Sequence, residues 1–168
     1  MSTLTTLKST LDATTDALTL HPEAARQKVE ASCALVGAST VSSPLGNHLL
    51  TFDQSAPLGD GHGPTPGDAL LAALGACQAQ VYRFWSEKLG IAFDDLRVDV
   101  RGDIDVRRLF GADEQVRPGF AGVEIEIQVT GPESAARYEE LRRTVDEHCP
   151  MLDVVANPVP VTTSIHSA

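Results

Sequence analysis

Gly63-Pro64-Thr65-Pro66-Gly67-Asp68-Ala69-Leu70-Leu71-Ala72-Ala73-Leu74-Gly75-Ala76-Cys77 is the stretch on which the fold turns. Thr65 has the chemistry of a helix N-cap and Pro66 suits the first helical position. Asp68, three residues after the cap, closes a capping box. From Ala69 to Val81 only Gln78 and Gln80 are polar. A helix apolar on nearly every side is expected to be buried, and its Ala and Gly residues admit another backbone at close range. Lys88-Leu89-Gly90 supplies the usual C-terminal stop. In front of the helix, Ala56–Gly67 carries four glycines and three prolines and reads as a loop.

Outward from that helix the pattern changes period. Residues 3–19 predict a modest amphipathic helix, with Leu4, Leu7, Leu11 and Leu18 along one face and His21-Pro22 closing it. That leucine stripe either packs on a dimer surface or docks a partner. Val29, Ala31, Cys33 and Leu35 alternate with Lys28, Glu30, Ser32 and Ala34, which predicts a strand with Cys33 on its apolar, core-facing side. A turn through Ser42-Ser43-Pro44-Leu45-Gly46 and a second strand at His48–Asp53 follow. Leu96, Val98 and Val100, then Val123, Ile125, Ile127 and Val129, alternate with charged or polar residues as in half-buried antiparallel strands. Pro132–His148 predicts a helix with Tyr138, Leu141 and Val145 inward and Pro150 as its stop. Val159–Ile165 reads as a last strand. The class is therefore α+β, with a helical extension over residues 1–24 and one domain over 25–168.

Composition removes several functions. The chain has 168 residues, 42% apolar, and 13 basic against 23 acidic side chains, a formal charge of −10. Nucleic-acid binding depends on clustered Lys and Arg, so no such partner is expected. No apolar run approaches the roughly 20 residues that span a bilayer, and residues 1–20 lack the basic start and apolar block of a signal peptide. A cytoplasmic protein without a membrane partner is the expectation, and there three cysteines act as buried thiols, ligands or redox groups. Zinc is not favoured: no Cys-x-x-Cys is present, and Cys77, Cys149 and His148 offer three ligands without a fourth. No nucleotide-binding or hydrolase motif is present, and no cofactor is expected.

On its position alone Cys77 reads either as a small hydrophobe in a helix interface or as a reactive thiol. Cys149, in His148-Cys149-Pro150, stands where a helix breaks off and presents its thiol.

The run from Gly63 to Cys77 closely resembles the start of the central helix of the OsmC/Ohr family, in which a proline–acid–Leu-Leu–small-rich–Cys run carries the reactive thiol. The family's second cysteine stands as Cys-Pro at a helix end about seventy residues on, and Cys149-Pro150 matches it. Lys88-Leu89-Gly90-Ile91, Gly102–Asp105, Arg117-Pro118-Gly119-Phe120 and Asn157-Pro158-Val159-Pro160-Val161-Thr162 are also similar, so the resemblance covers about residues 25–165. It implies an intertwined homodimer with antiparallel sheets wrapped around two long central helices. It also implies a peroxidase acting on organic or inorganic hydroperoxides, with Cys77 as peroxidatic thiol, Cys149 as resolving thiol, and an external dithiol as reductant. The alternative is a non-catalytic relative that binds a small apolar ligand at the dimer-interface pocket.

A buried thiol is inert unless something stabilises its thiolate. Peroxidase members supply an arginine from the first hairpin, held by a glutamate before the central helix. Here the hairpin reads Gly37-Ala38-Ser39-Thr40-Val41-Ser42-Ser43, and Gly67 stands at the glutamate position. Asp68 follows at once, with capping as its competing role. Arg26, Arg107, Arg108 and Arg117 are candidate substitute cations, and His148 and His62 candidate supporting groups. Arg83, six residues past Cys77, is about 600° of helical rotation away and points elsewhere.

Overall fold

A computed structural model describes residues 2–167. Helix α1 (Ser2–Leu20) and a 3-10 turn at Pro22–Ala25 lead to an extended, exposed segment, then to strands β1 (Ala34–Leu35), β2 (Val41–Leu45) and β3 (His48–Phe52). After a loop come helix α2 (Pro66–Leu89), strands β4 (Asp95–Ile104) and β5 (Phe120–Thr130), and helices α3 (Ala135–His148) and α4 (Pro150–Ala156). The strands form a three-stranded antiparallel sheet in the order β1-β2-β3 and a two-stranded antiparallel sheet of β4 and β5. The fold is α+β.

Helix α2 organises the rest, and local chemistry fixes both its ends. Asp68 N–H donates to Thr65 Oγ1 at 3.2 Å and Thr65 N–H to Asp68 Oδ2 at 3.1 Å, the reciprocal capping box. Gly90 ends the helix with φ 63°, a conformation that only glycine adopts without strain. β4 and β5 pair in the register Leu96↔Val129, Val98↔Ile127, Val100↔Ile125. Every second residue is thus turned inward, while Arg101 reaches Glu126 at 3.0 Å on the outer side. A Cβ at Gly75 would come within 3.1 Å of Val100, so the missing side chain lets α2 lie close on β4.

The core lies where α2 meets α3 over the β4–β5 sheet. Val81, Tyr82, Ile91, Leu141, Val145 and Cys149 are buried together, with Cys77, Trp85, Phe93, Leu96, Ile127 and Leu152 packed around them. α1 rests on α2, and Lys88 Nζ donates to Thr15 Oγ1 at 2.8 Å. Leu7 and Leu11 are half-buried while Leu18 is exposed; the side chain of Leu4 lies outside the described residues.

Several expectations change. The strand expected over Val29–Leu35 shrinks to Ala34–Leu35 and Cys33 is exposed, because alternation is not enough where no facing strand reaches residues 29–33. The turn expected at Ser42–Gly46 belongs to β2; Gly46 and Asn47 alone reverse the chain. α3 begins at Ala135 because Ser134 caps it, accepting from the Arg137 N–H. Pro150 opens a further helix, since proline suits a first turn as well as it ends a previous one. Val159–Ile165 has no regular secondary structure and pairs with no described strand, and Val161 and Ile165 are exposed, so the expected strand is not formed. α2 is buried on one side only: Leu70, Ala72, Ala73, Ala76, Gln80 and Phe84 remain exposed.

Candidate active site

Cys77 sits midway along α2, one and two turns before Val81 and Trp85, on the side that enters the core. Cys149 is the joint between α3 and α4, ending the first helix and capping the second. α2 and α3 run antiparallel: Arg137 donates to the Leu89 carbonyl at 3.2 Å near one end, and the cysteines meet near the other. Their sulfur atoms lie 3.5 Å apart, with Cys149 2% exposed and Cys77 partly so. That is thiol contact, and a small displacement converts it into a bond of about 2.05 Å. Burial pushes the Cys149 thiol above its ordinary value; the Leu152 N–H pulls the other way, and the neighbouring Cys77 adds to the rise.

A cavity of about 440 Å³ lies one helical turn from the pair, and neither cysteine is among its lining residues. Leu74, one turn before Cys77, and Leu152, one turn into α4 after Cys149, share its wall with Leu70, Phe120 and Val155. Its lining side chains are apolar apart from Arg117, which is exposed.

The other candidates divide clearly. Arg107 donates to Asp105 at 2.6 and 3.0 Å and to Asp113 at 3.1 Å, pulling Asp105 down to about 2. Arg108 is held by Glu114, Arg83 by Glu87 and the face of Phe93, and Arg26 lies in the exposed segment after the 3-10 turn. Among the described residues no Lys or Arg hydrogen-bonds either sulfur. His148 turns away from the thiol: its Nδ1 meets the Thr144 carbonyl at 2.7 Å, and its ring lies 4.2 Å from that of Trp85. Asp68 is occupied by its cap. Of the named cations only Arg117 lines the cavity near the cysteines. Among the described residues no group of three or more His, Cys, Asp or Glu side chains is gathered to hold a metal ion.

Two polar residues escaped the sequence reading. Asp53, 1% exposed, accepts from Ser39 Oγ at 2.6 Å, Thr40 Oγ1 at 3.3 Å, and the backbone N–H groups of Gln54, Asp60 and His62 at 2.8, 3.3 and 3.1 Å. His62 Nδ1 lies 3.4 Å away, so His62 braces the loop rather than the cysteines. These donors, Ser39 first and the His62 N–H next, hold the carboxyl well below the usual range despite its burial. Gln78, also 1% exposed, makes no well-formed hydrogen bond at either end of its carboxamide among the described residues. The only sequence signal was a polar residue in an apolar run directly after Cys77.

Comparison with known proteins gives a consistent picture. The OsmC-like protein family model matches residues 59–164, more than half of the chain. An OsmC-like protein from Mycoplasma pneumoniae superposes with a TM-score of 0.68 at 18% identity, covering 77% of this chain and 88% of its own. An organic hydroperoxide resistance protein OsmC from Legionella pneumophila gives 0.58 at 20% identity, over 77% and 89%. The organic hydroperoxide resistance protein OhrB of Bacillus subtilis gives 0.51 at 19%, over 77% and 90%. No curated protein matches. No described helix is long and apolar enough to cross a membrane.

Proposed function

The chain belongs to the OsmC-like family, and from that premise we propose that it is a thiol-dependent peroxidase of organic hydroperoxides working through Cys77 and Cys149. The observation that carries this reading is the 3.5 Å contact between two thiols set 72 residues apart, near an apolar cavity. The Cys77 thiolate attacks the terminal peroxide oxygen, the O–O bond breaks, and the alkoxide leaves as an alcohol after taking a proton. Cys77 becomes a sulfenic acid. Cys149 attacks that sulfur, water leaves, and the disulfide is reduced by an external dithiol. A raised Cys149 pKa suits the resolving role, because its proton stays in place until the sulfenic acid arrives. Arg117, which lines the cavity, supplies the positive field that the hairpin lacks.

The assembly proposed is a homodimer of a domain over residues 25–168, with α1 as an extension packed on α2. The chain exposes 12291 Å², where a compact monomer of 17.9 kDa exposes about 8,000 Å². Such an excess is expected of a protomer whose core is completed by a second copy, and the exposed alanine face of α2 offers the close-packing surface. Sedimentation at a single 17.9 kDa species would remove this part of the proposal.

The enzymatic test is turnover. Reduced protein with a small dithiol should consume cumene hydroperoxide catalytically, Cys77→Ser should lower the rate by at least about a thousandfold, and Arg117→Gln should lower it by about tenfold while Arg107→Gln leaves it unchanged. One observation favours a second reading: among the described residues no Lys or Arg hydrogen-bonds either sulfur. On that reading the cavity holds a small apolar ligand without chemistry, and the protein stays reduced in peroxide while retaining such a ligand.

A further inference from the structure

Leu74, Gln78 and Tyr82 occupy successive turns of one buried face of α2, and that face packs on α3. Leu74 lines the cavity near the cysteines, and Tyr82 belongs to the core that also contains Cys149. Gln78, directly after Cys77 in the chain, lies between them. Its surroundings are dry: 1% of the residue is exposed, and among the described residues neither Nε2 nor Oε1 has a well-formed hydrogen bond. Asp146, three residues before Cys149, lies close enough for Gln78 to draw its pKa down slightly against the larger upward push of burial, but no well-formed hydrogen bond joins the two and Asp146 is itself paired with Arg142.

A carboxamide buried without partners destabilises the protein that carries it, and a leucine of similar size would fill the same seam without that penalty. Because the group is already covered within a single chain, a second protomer at the surface does not reach it. Its partner is something that enters the seam. The atom that enters during the proposed reaction, and is absent from the reduced protein, is the peroxide oxygen that ends up on Cys77.

We infer that Gln78 is a further residue of the reaction, holding the oxygen delivered to Cys77, with Nε2–H donating to it and Oε1 accepting the proton of the resulting sulfenic acid. This inference rests on the peroxidase reading above. The atoms balance as before: the peroxide is reduced to an alcohol, Cys77 is oxidised by two electrons, and Gln78 exchanges no proton or electron. An interaction absent from the reduced state and present once the O–O bond begins to break lowers the barrier rather than strengthening ground-state binding, and a single oxyanion donor of this kind is worth about a hundredfold in rate.

The test uses full-length protein carrying Cys149→Ser, in which the sulfenic acid cannot be resolved. Reduced protein is mixed with cumene hydroperoxide, sulfenic acid at Cys77 is trapped with dimedone, and the adduct is followed by mass spectrometry beside thermal unfolding. In the Cys149→Ser background the adduct should form within seconds. Adding Gln78→Leu should slow its formation by about a hundredfold while the melting temperature holds or rises. Gln78→Met, which keeps the length but loses the donor, should behave like leucine, and Gln78→Asn should recover part of the rate. Two results overturn the inference: a rate within twofold of the background in both Leu and Met variants, or a fall in melting temperature with that rate kept, which would make Gln78 a structural partner of Asp146. Failure of the background protein to form any adduct would remove the peroxidase reading, and this inference with it.

Discussion

Asp53 and Cys149 are buried almost equally, yet the fold treats their ionisation in opposite ways. Around Asp53 two hydroxyls and three backbone N–H groups converge, and the carboxylate keeps its charge out of water. Around Cys149 the neighbours are Val145, Leu141, Leu152 and the sulfur of Cys77, and the thiol is driven toward its neutral form. At Asp53 the donors outweigh burial; at Cys149 burial outweighs the N–H groups of Leu152 and Met151. Asp53 is thereby a structural anion that ties β3 to the loop before α2, whereas the Cys149 thiol is held toward its neutral form.

Exchanging the chemistry of the two regions gives the largest expected effect. Cys149→Asp places a carboxylate in a buried apolar seam where only the N–H groups of Leu152 and Met151 face it, and at neutral pH it should destabilise the protein by about 3 kcal/mol. Because that carboxyl would have a raised pKa in the folded state, stability should return as pH falls through it, which unfolding in denaturant at pH 7 and pH 4 would reveal. Asp53→Asn is expected to lower the melting temperature by several degrees, since the amide replaces a charged acceptor of five hydrogen bonds and offers an NH₂ to donors that need an acceptor. An unchanged melting temperature would break the contrast.

The pH dependences should also differ. Asp53 has a depressed folded pKa, so its contribution is present above the ordinary carboxyl value of 3.8 and is lost as pH falls below it toward the folded value. The wild-type melting temperature should therefore decline in that acidic window more steeply than that of Asp53→Asn. Cys149 has a raised folded pKa, so its neutral thiol favours the folded state below the ordinary 9.0, an advantage lost as pH rises through the folded value. The rate of disulfide closure after sulfenic acid formation should accordingly keep rising with pH beyond 9.0 in stopped-flow measurements; a plateau below that value would contradict the seam as described. The smallest effect is expected at exposed Cys33, where Cys33→Ser should change stability by less than about 0.5 kcal/mol and leave peroxide consumption unaltered.

The parts of this molecule that could be read in advance are those governed by local chemistry. Thr65, Pro66, Asp68 and Gly90 bound α2 as their capping properties dictate, and alternation placed Val98 and Ile127 on the inner face of β4 and β5. Segments that depend on a distant partner were not legible. Cys33 and Val159–Ile165 have strand-like alternation, but a strand exists only where another lies beside it. Cys149-Pro150 was legible as a helix end, while the new helix starting at Pro150 was hidden because the same proline serves both roles. Asp53 and Gln78 were invisible because what singles them out is the burial and partnering that three-dimensional packing creates. The cysteine pair itself was expected from a resemblance, and the 3.5 Å between its sulfurs is a fact of packing between α2 and α3.

One measurement bears on the central claim most directly. Reduced protein is mixed with one equivalent of cumene hydroperoxide, quenched by alkylation at intervals, and mapped for disulfides by mass spectrometry. Rapid, stoichiometric appearance of a Cys77–Cys149 bond, with Cys33 still alkylated, is the predicted result. Folded protein in which Cys77 and Cys149 remain fully alkylated after minutes in peroxide would contradict it, and would leave the cavity as a ligand site without redox chemistry.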